Sequence, residues 1–210
     1  QKAVKLCPNK IDAYLQKAAG LNRQKQYEKS IEFINSKILA NQKVLNDGSK
    51  DSVYYLLGDC YSQLEDYEKA AEYYHSAIEE NPENVNYYRD CAIMEAYCGN
   101  TDKAQDLLAA AKTKGIDNTA VSYAEGEIAY SSGDYVTARN TFQACIENSQ
   151  DSYIQMRSYI MEAKCIDKQD SSTNGKMEKM ELLKKAQEQL PRENNIGVLE
   201  ELAQTYSDLG

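Results

Sequence analysis

A 34-residue period in the central part of the chain constrains its fold most. Segments 51–84, 85–118 and 119–152 follow one another directly, are each 34 residues long, and carry small, aromatic and turn-forming residues at matching positions. A fixed period of roughly 20–50 residues is the signature of repeat architectures, in which one supersecondary unit stacks on the next. The period therefore predicts an array of similar units.

Segment 51–84 shows what the repeated unit is. The spacing of one helix face occurs in it twice, as i, i+3, i+7 at Tyr54, Leu57 and Tyr61 and as i, i+4, i+7 at Ala70, Tyr74 and Ala77. Gly58 and Ala70 are small where two helices must approach closely, and Pro82 stops the second helix. The tyrosine-rich stretch is therefore interpreted as packing within a helix pair, not as a chemical site.

The order of these residues resembles the tetratricopeptide repeat, whose pattern reads W-x2-L-G-x2-Y…A-x3-F…A…P. Tyr54 replaces the tryptophan and Tyr74 the phenylalanine, one aromatic residue for another. The resemblance implies an all-α fold, a right-handed α-α superhelix (TPR solenoid) of antiparallel helix pairs. It also implies a protein-interaction function, with the first helix of each pair lining a concave groove.

The pattern recurs at lower fidelity along nearly the whole chain. We expect the end of a preceding repeat's second helix at 1–10, repeat 1 with an insertion at 11–50, repeat 2 at 51–84, repeat 3 at 85–118, repeat 4 at 119–152, repeat 5 with a longer inter-helix turn at 153–193, and the first helix of a truncated repeat 6 at 194–210. Because both ends interrupt a repeat, the chain is interpreted as a fragment of a longer protein.

Charge and cysteine usage exclude several partners. Lys+Arg of 24 against Asp+Glu of 33 gives a net charge of −9 with no basic cluster, so nucleic acid is not an expected partner. The lack of any long apolar run predicts no direct membrane contact in this piece, although a membrane-anchored parent protein stays an alternative.

Six cysteines within helical patterns, with no CxxC pair, favour reduced thiols and a cytoplasmic location. A monomer is expected, with end-to-end contacts through the truncated ends as an alternative.

Few residues point to chemistry. His75 is the one histidine, and it lies in a helical pattern with no nucleophile fixed beside it. No phosphate-binding glycine loop or metalloprotease motif occurs. The sequence therefore predicts no enzyme, no catalytic residue, no cofactor and no metal.

One stretch keeps a calcium hypothesis open. Residues 170–181, DSSTNGKMEKME, nearly fit the loop D-x-[DN]-x-[DN]-G-x5-E, with Ser172 as the departure and Gly175 where that loop turns sharply. The alternative interpretation is a turn between two repeat helices.

The expected binding site is the set of first-helix residues that the packing face does not use. These partner-binding groove residues are Tyr55, Arg89, Ile93, Tyr97, Tyr123, Glu127 and Tyr130. Tyrosine and arginine are frequent anchors of binding surfaces, and the acidic chain favours a neutral or basic segment with one or two apolar anchors. In the alternative interpretation, Arg89 stacks between Tyr55 and Tyr123 within the protein.

The family's cochaperones capture a C-terminal carboxylate with lysine and asparagine along the groove. The corresponding positions here hold Leu15, Ala19, Leu56, Asn86 and Asp90, so the lysine is missing and Asp90 would repel a carboxylate. The predicted function is a protein–protein interaction scaffold that binds a different peptide segment or partner. The alternatives are a structural spacer without a groove ligand and a calcium-responsive module working through residues 170–181.

Overall fold

The computed structural model describes residues 11–46, 48–191 and 195–209. Within these ranges the regular elements are all helices, and no strand occurs. The predicted all-α fold is confirmed.

The helix bounds follow the predicted pairs. The helices are α1 (Ile11–Arg23), α2 (Tyr27–Ile34), α3 (Gln42–Leu45), α4 (Lys50–Gln63), α5 (Tyr67–Glu80), α6 (Val85–Tyr97), α7 (Thr101–Thr113), α8 (Asn118–Ser131), α9 (Tyr135–Asn148), α10 (Ser152–Gln169), α11 (Thr173–Gln189) and α12 (Ile196–Leu209). A π-helical segment, Asn35–Leu39, continues α2.

The chain divides into two compact units, one ending at Gly115 and the other beginning at Ile116. Within each unit, a helix packs mainly on its neighbours along the chain or on the next but one. A core cluster of the first unit contains Ile11, Tyr14, Ile34, Ile38, Val53 and Leu57. A core cluster of the second unit contains Tyr159, Ala163, Leu183, Ala186, Val198 and Leu202.

Three-residue turns join the helices of each pair. In four of these turns the middle residue adopts the left-handed conformation: Lys25 at φ 55°, Glu65 at 60°, Gly99 at 81° and Gly133 at 84°. The last three are 34 positions apart. Only glycine adopts this conformation without a steric penalty from Cβ. The turn geometry therefore repeats with the period of the sequence from Glu65 to Gly133, and Lys25 and Glu65 are the strained members of the series.

Replacing Glu65 with glycine should raise the free energy of unfolding by up to about 1 kcal/mol, because the left-handed strain is removed. Glu72→Gly, at an exposed position inside α5, is the matched control and should lower it by about 1 kcal/mol. Urea unfolding followed by circular dichroism measures both. Equal destabilisation by the two substitutions would contradict the strain at Glu65.

Two glycines of the first helices lie directly against aromatic rings. A Cβ atom on Gly58 would be 2.6 Å from the Tyr74 ring, and one on Gly126 would be 2.7 Å from the Phe142 ring. The two glycines are two periods apart, and Tyr74 and Phe142 occupy the same position of the second helix. The close approach that the sequence predicts at Gly58 is therefore present in repeats 2 and 4.

The predicted longer turn of repeat 5 is wrong. Its turn covers only residues 170–172, as in the other pairs, whereas α10 has 18 residues and α11 has 17, against 13 or 14 in α4 to α9. The Ser172 hydroxyl accepts hydrogen bonds from the backbone N–H groups of Asn174 and Gly175 and so begins α11 early. The extra residues thus lengthen the helices. The predicted segment 1–10 lies outside the described residues, and the repeat boundaries themselves stay predictions.

The described cysteines are free thiols. Cys60, Cys91, Cys145 and Cys165 are buried, and burial raises the pKa of Cys145 to about 11 and that of Cys165 to about 12. These side chains act as small apolar packing groups, as the sequence predicts.

In the described part of the chain, no helix combines the length and the apolar character needed to span a membrane.

Candidate functional site

Tyr55 projects from α4 and is held by hydrogen bonding and stacking. Its hydroxyl donates to Asp90 Oδ2 at 2.8 Å, and its ring lies 4.9 Å from the Tyr87 ring and 5.4 Å from the Tyr74 ring. Burial raises the pKa of Tyr55, and the charges of Asp90 and Asp59 add to this effect. The hydroxyl therefore stays a hydrogen-bond donor at neutral pH.

Two further tyrosine–aspartate hydrogen bonds lie in this unit, one from Tyr74 of α5 and one from Tyr87 of α6. The Tyr74 hydroxyl donates to Asp59 at 2.7 Å, and the Tyr87 hydroxyl donates to Asp51 at 2.9 Å. Together with Tyr55 and Asp90 they make up the tyrosine–aspartate face: Asp51, Tyr55, Asp59, Tyr74, Tyr87 and Asp90. Its carboxylates are partly exposed, so the face presents negative charge on a rigid aromatic support.

Arg89 forms a forked ion pair with its neighbour Asp90. The distances are 2.7 Å from Nε to Oδ1 and 2.9 Å from Nη2 to Oδ2, and Nη1 also donates to Asn86 at 3.2 Å. The predicted groove cation thus neutralises one carboxylate of the tyrosine–aspartate face. The alternative in which Arg89 stacks between Tyr55 and Tyr123 joins residues of different units and stays a prediction.

The two other predicted groove residues of the first unit differ in exposure. Ile93 is buried, with 4% of its surface exposed. Tyr97 is half-buried and stacks on Tyr67, with 4.7 Å between ring centroids. The two rings border a shallow surface depression that is also lined by Leu64, Glu65, Asp66, Glu68 and Cys98. Tyr97 is therefore accessible to a partner, whereas the Ile93 side chain belongs to the hydrophobic core.

In the second unit, two predicted groove residues form a buried polar cluster. Tyr123 and Glu127 are each 2% exposed, and the Tyr123 hydroxyl donates to the Glu127 carboxylate. Arg157 Nε donates to the Tyr123 hydroxyl at 2.9 Å, and Arg157 Nη2 contacts Glu127 Oε1 at 3.3 Å. The Arg157 guanidinium also lies over the Tyr123 ring, 5.3 Å from its centroid. We name these three residues the Tyr123 cluster.

Arg157 was not among the predicted groove residues, although a signal for it exists. It follows Tyr123 by 34 residues, as Tyr123 follows Arg89 and Arg89 follows Tyr55. A strict count of the period would have placed Arg157 next to Tyr123.

Tyr130 is half-buried at the end of α8. Its ring packs edge-on against Tyr135 at 5.3 Å, and burial raises its pKa to about 12. It presents part of its ring to solvent beside the turn to α9.

His75 belongs to a structural ion-pair network. Its Nε2 lies 2.8 Å from Glu95 Oε1, and Asn100 Nδ2 donates to Glu95 Oε2 at 2.7 Å. Glu95 is 4% exposed. Burial acts to raise the pKa of Glu95, but the contacts with His75, Asn100 and Lys103 outweigh burial and hold the pKa below its usual value. These contacts fit a packing role for His75.

Residues 170–181 do not form a calcium loop in this conformation. Thr173 and the residues after it lie in α11, which separates Ser172 from Glu181 by roughly 13 Å along the helix axis. Calcium ligands lie roughly 2.3–2.6 Å from their ion, so Asp170 and Glu181 cannot share one. A Cβ on Gly175 would be 2.0 Å from the Asp170 carbonyl oxygen, and this close approach explains the glycine. The described residues contain no group of three or more His, Cys, Asp or Glu side chains that could hold a metal ion.

Millimolar calcium should leave the melting temperature unchanged in both the wild type and Glu181→Gln, because a ligand raises it only by binding the folded state and residues 170–181 form no calcium loop there. Gly175→Ala should lower the melting temperature without calcium, since its methyl group collides with the Asp170 carbonyl. Differential scanning calorimetry measures all three proteins. A calcium-dependent rise that Glu181→Gln abolishes would restore the calcium hypothesis.

Helix pairs joined by short turns on a 34-residue period define an α-helical repeat protein. Residues 52–84 match the family model described as the tetratricopeptide repeat. This match confirms the resemblance in repeat 2, and the chain as a whole has the fold of tetratricopeptide-repeat proteins.

Solved structures share this fold at low sequence identity. Yeast Tom70 is 22% identical with a TM-score of 0.64, and the alignment covers 98% of this chain and 41% of Tom70. TTC0263, a thermophilic TPR protein of Thermus thermophilus, is 14% identical with a TM-score of 0.66 over 95% of this chain and 98% of its own. YrrB, described as a TPR protein with an unusual peptide-binding site, is 18% identical with a TM-score of 0.51 over 99% of this chain and 92% of its own. The comparison with curated proteins gives no match.

Proposed function

We propose that the chain is a protein-interaction module that holds an extended or helical peptide segment of a partner on its first helices. The tyrosine–aspartate face carries this proposal, because it places three partly exposed carboxylates on two adjacent first helices, α4 and α6, and holds each of them by a tyrosine hydroxyl. The fold is one that mediates protein–protein interactions, and YrrB, which shares it, has a peptide-binding site.

The chemistry of the face selects the partner. Its three carboxylates are accompanied by the single guanidinium of Arg89, so a segment carrying lysine or arginine is attracted and an acidic segment is repelled. The half-buried rings of Tyr55 and Tyr97 supply contact area at low entropic cost. The expected ligand is a basic segment with one or two apolar side chains that pack on Tyr55 and Tyr97.

A structural spacer is the second candidate, and the Tyr123 cluster favours it. Tyr123 and Glu127 were expected to face a ligand, yet Arg157 of the same unit contacts both. If the first unit behaves in the same way, its tyrosine–aspartate pairs only fix the helices relative to one another. The two candidates differ in whether the face binds anything.

The test is a peptide library displayed on phage and selected on the wild-type protein, with affinities of the selected peptides measured by fluorescence polarisation. The double variant Asp59→Asn/Asp90→Asn keeps hydrogen-bond acceptors for Tyr74 and Tyr55 but removes two charges. It should bind basic peptides at least about tenfold more weakly, with a smaller dependence on salt. Tyr97→Ala should weaken binding by about 1–2 kcal/mol.

Asp106→Asn is the matched control, because Asp106 is exposed on the second helix α7. It removes a charge of the same kind away from the face and should leave affinity unchanged. If every selected peptide binds the folded double variant as tightly as it binds Asp106→Asn, the face is not the binding site and the spacer function is favoured.

A further inference from the structure

Helix α10 carries a line of solvent-accessible side chains that includes three cations. The side chains follow one another at spacings of four, three, four and four residues, which keeps them on one side of an α-helix. We name this line the α10 stripe: Tyr153, Arg157, Ile160, Lys164 and Lys168. Tyr153, Lys164 and Lys168 are exposed, and Arg157 and Ile160 are half-buried.

The stripe is accessible although a first helix packs on α10 on either side. Towards α8, Arg157 contacts Tyr123 and Glu127. Towards α12, Ile160 borders Gly197, where a Cβ atom would lie 2.9 Å from Ile160 Cδ1. Both neighbouring helices are therefore in place, and the stripe between them still faces solvent.

The two lysines of the stripe carry unpaired charges. Within the part of the chain that the structure describes, neither side chain makes a hydrogen bond or an ion pair. The adjacent Asp167 has its carboxylate 2.6 Å from Lys179 Nζ. Lys168 lies in the last turn of α10, where a cation stabilises the helix, but this effect fades within one turn and does not account for Lys164. The two ammonium groups are thus available to an external anion.

The helices on either side of the stripe are acidic, which limits the shape of a ligand. Helix α8 contains Glu125 and Glu127, α12 contains Glu200, Glu201 and Asp208, and neither helix contains lysine or arginine. A nucleic acid duplex or an anionic membrane surface would extend over both helices and be repelled, as the net charge of −9 also predicts. A single acidic peptide chain is narrow enough to contact the lysines alone.

The spacing of the stripe fits an extended peptide. Along the helix axis, Lys164 lies about 6 Å from both Lys168 and Ile160. In an extended chain, side chains on the same side repeat about every 6.6 Å, at alternate residues. Two carboxylates at alternate positions can therefore pair with the two lysines while an apolar side chain two positions away packs on Ile160.

We propose that the α10 stripe binds an acidic segment of a protein partner in extended conformation, with two Asp or Glu residues at alternate positions next to an apolar residue. The lysines attract the carboxylates, and Ile160 and Tyr153 supply apolar contact. This surface lies in the second unit, and its ligand has the opposite charge to the ligand of the tyrosine–aspartate face. The inference therefore does not rest on the proposed function.

The probes are two synthetic peptides with acetylated and amidated ends, Leu-Ser-Glu-Ser-Glu and its reverse, Glu-Ser-Glu-Ser-Leu, which cover both chain directions. Fluorescence polarisation with the whole chain at low ionic strength should show saturable binding of at least one of them. The affinity should fall as salt is added, because the contacts are between solvent-exposed charges. Replacing both glutamates of the bound peptide with glutamine should weaken binding at least about tenfold.

Lys164→Glu/Lys168→Glu should weaken binding at least about tenfold, and Lys37→Glu/Lys43→Glu is its control. Lys37 and Lys43 are exposed in the first unit, so both double variants lower the net charge by the same amount. Lys164→Gln/Lys168→Gln repeats the test if circular dichroism shows that the glutamates reduce helicity. Equal binding by the variant and its control, or no saturable binding of either peptide at millimolar concentration, would overturn the proposal. Single-stranded DNA or phosphatidylserine vesicles that bind through the stripe in place of the peptides would assign it to another polyanion and would also overturn it.

Discussion

Replacing Arg157 with methionine should lower the free energy of unfolding by about 3 kcal/mol, because it removes the cation that contacts the buried carboxylate of Glu127. Glu127 is 2% exposed, and Arg157 reaches both Glu127 and the Tyr123 hydroxyl. The value is at the lower end of the range for breaking a buried pair, since 38% of the Arg157 side chain is exposed. Methionine keeps much of the apolar length of arginine, so the loss reports on charge and hydrogen bonding.

Two further variants make this result specific. Lys164→Met removes a cation from an exposed position of the same helix, and it should change stability by no more than about 0.5 kcal/mol. Adding Glu127→Gln to Arg157→Met should recover at least half of the loss, because the remaining buried group is then neutral. Urea unfolding measures all variants. Equal losses for Arg157→Met and Lys164→Met would show that the Tyr123 cluster contributes nothing to stability.

Replacing Phe142 with alanine should lower the free energy of unfolding by about 3–5 kcal/mol, the usual effect of removing a large aromatic side chain from a core. Phe142 is fully buried, lies against Gly126, and packs on Tyr123 with 5.7 Å between ring centroids. Val136→Ala, at an exposed position of the same helix, should have an effect of no more than about 0.5 kcal/mol.

The contact between Gly126 and Phe142 provides a second, independent readout. Gly126→Ala alone should be destabilising, because the new methyl group would lie 2.7 Å from the Phe142 ring. In the double variant with Phe142→Ala the ring is gone, and the same methyl group has space. The combined loss should therefore be smaller than the sum of the two single losses. Additive losses would contradict the close contact between Gly126 and the Phe142 ring.

The helix pairs could be predicted from the sequence because their determinants are local. The spacing of Tyr54, Leu57 and Tyr61 defines a helix face, and the turn signals lie within a few residues of the helix ends. Repeat 5 departs from the prediction because residues 169–175 have the composition of a turn. The hydroxyl of Ser172 nevertheless starts a helix there, and sequence composition alone does not reveal that hydrogen bond.

The exposure of the candidate site residues could be predicted only in part. The repeat pattern identifies Tyr123 and Glu127 as residues that their own helix pair does not need for packing. Tyr123 nevertheless packs on Phe142 of its own pair, and Arg157, from the next repeat, contacts both Tyr123 and Glu127. The aspartate partners of Tyr55 and Tyr87 also lie in a neighbouring repeat, 35 and 36 residues away. Contacts between repeats therefore determine which first-helix residues face solvent.

The contacts of each helix with near neighbours along the chain have a mechanical consequence. No described helix depends on a distant part of the sequence to complete its packing within its unit, so a pulling force can detach one helix pair and leave the next pair folded. Extension under load would then proceed in steps of about one repeat length. Each helix pair would then unfold and refold under load while the neighbouring pairs stay folded.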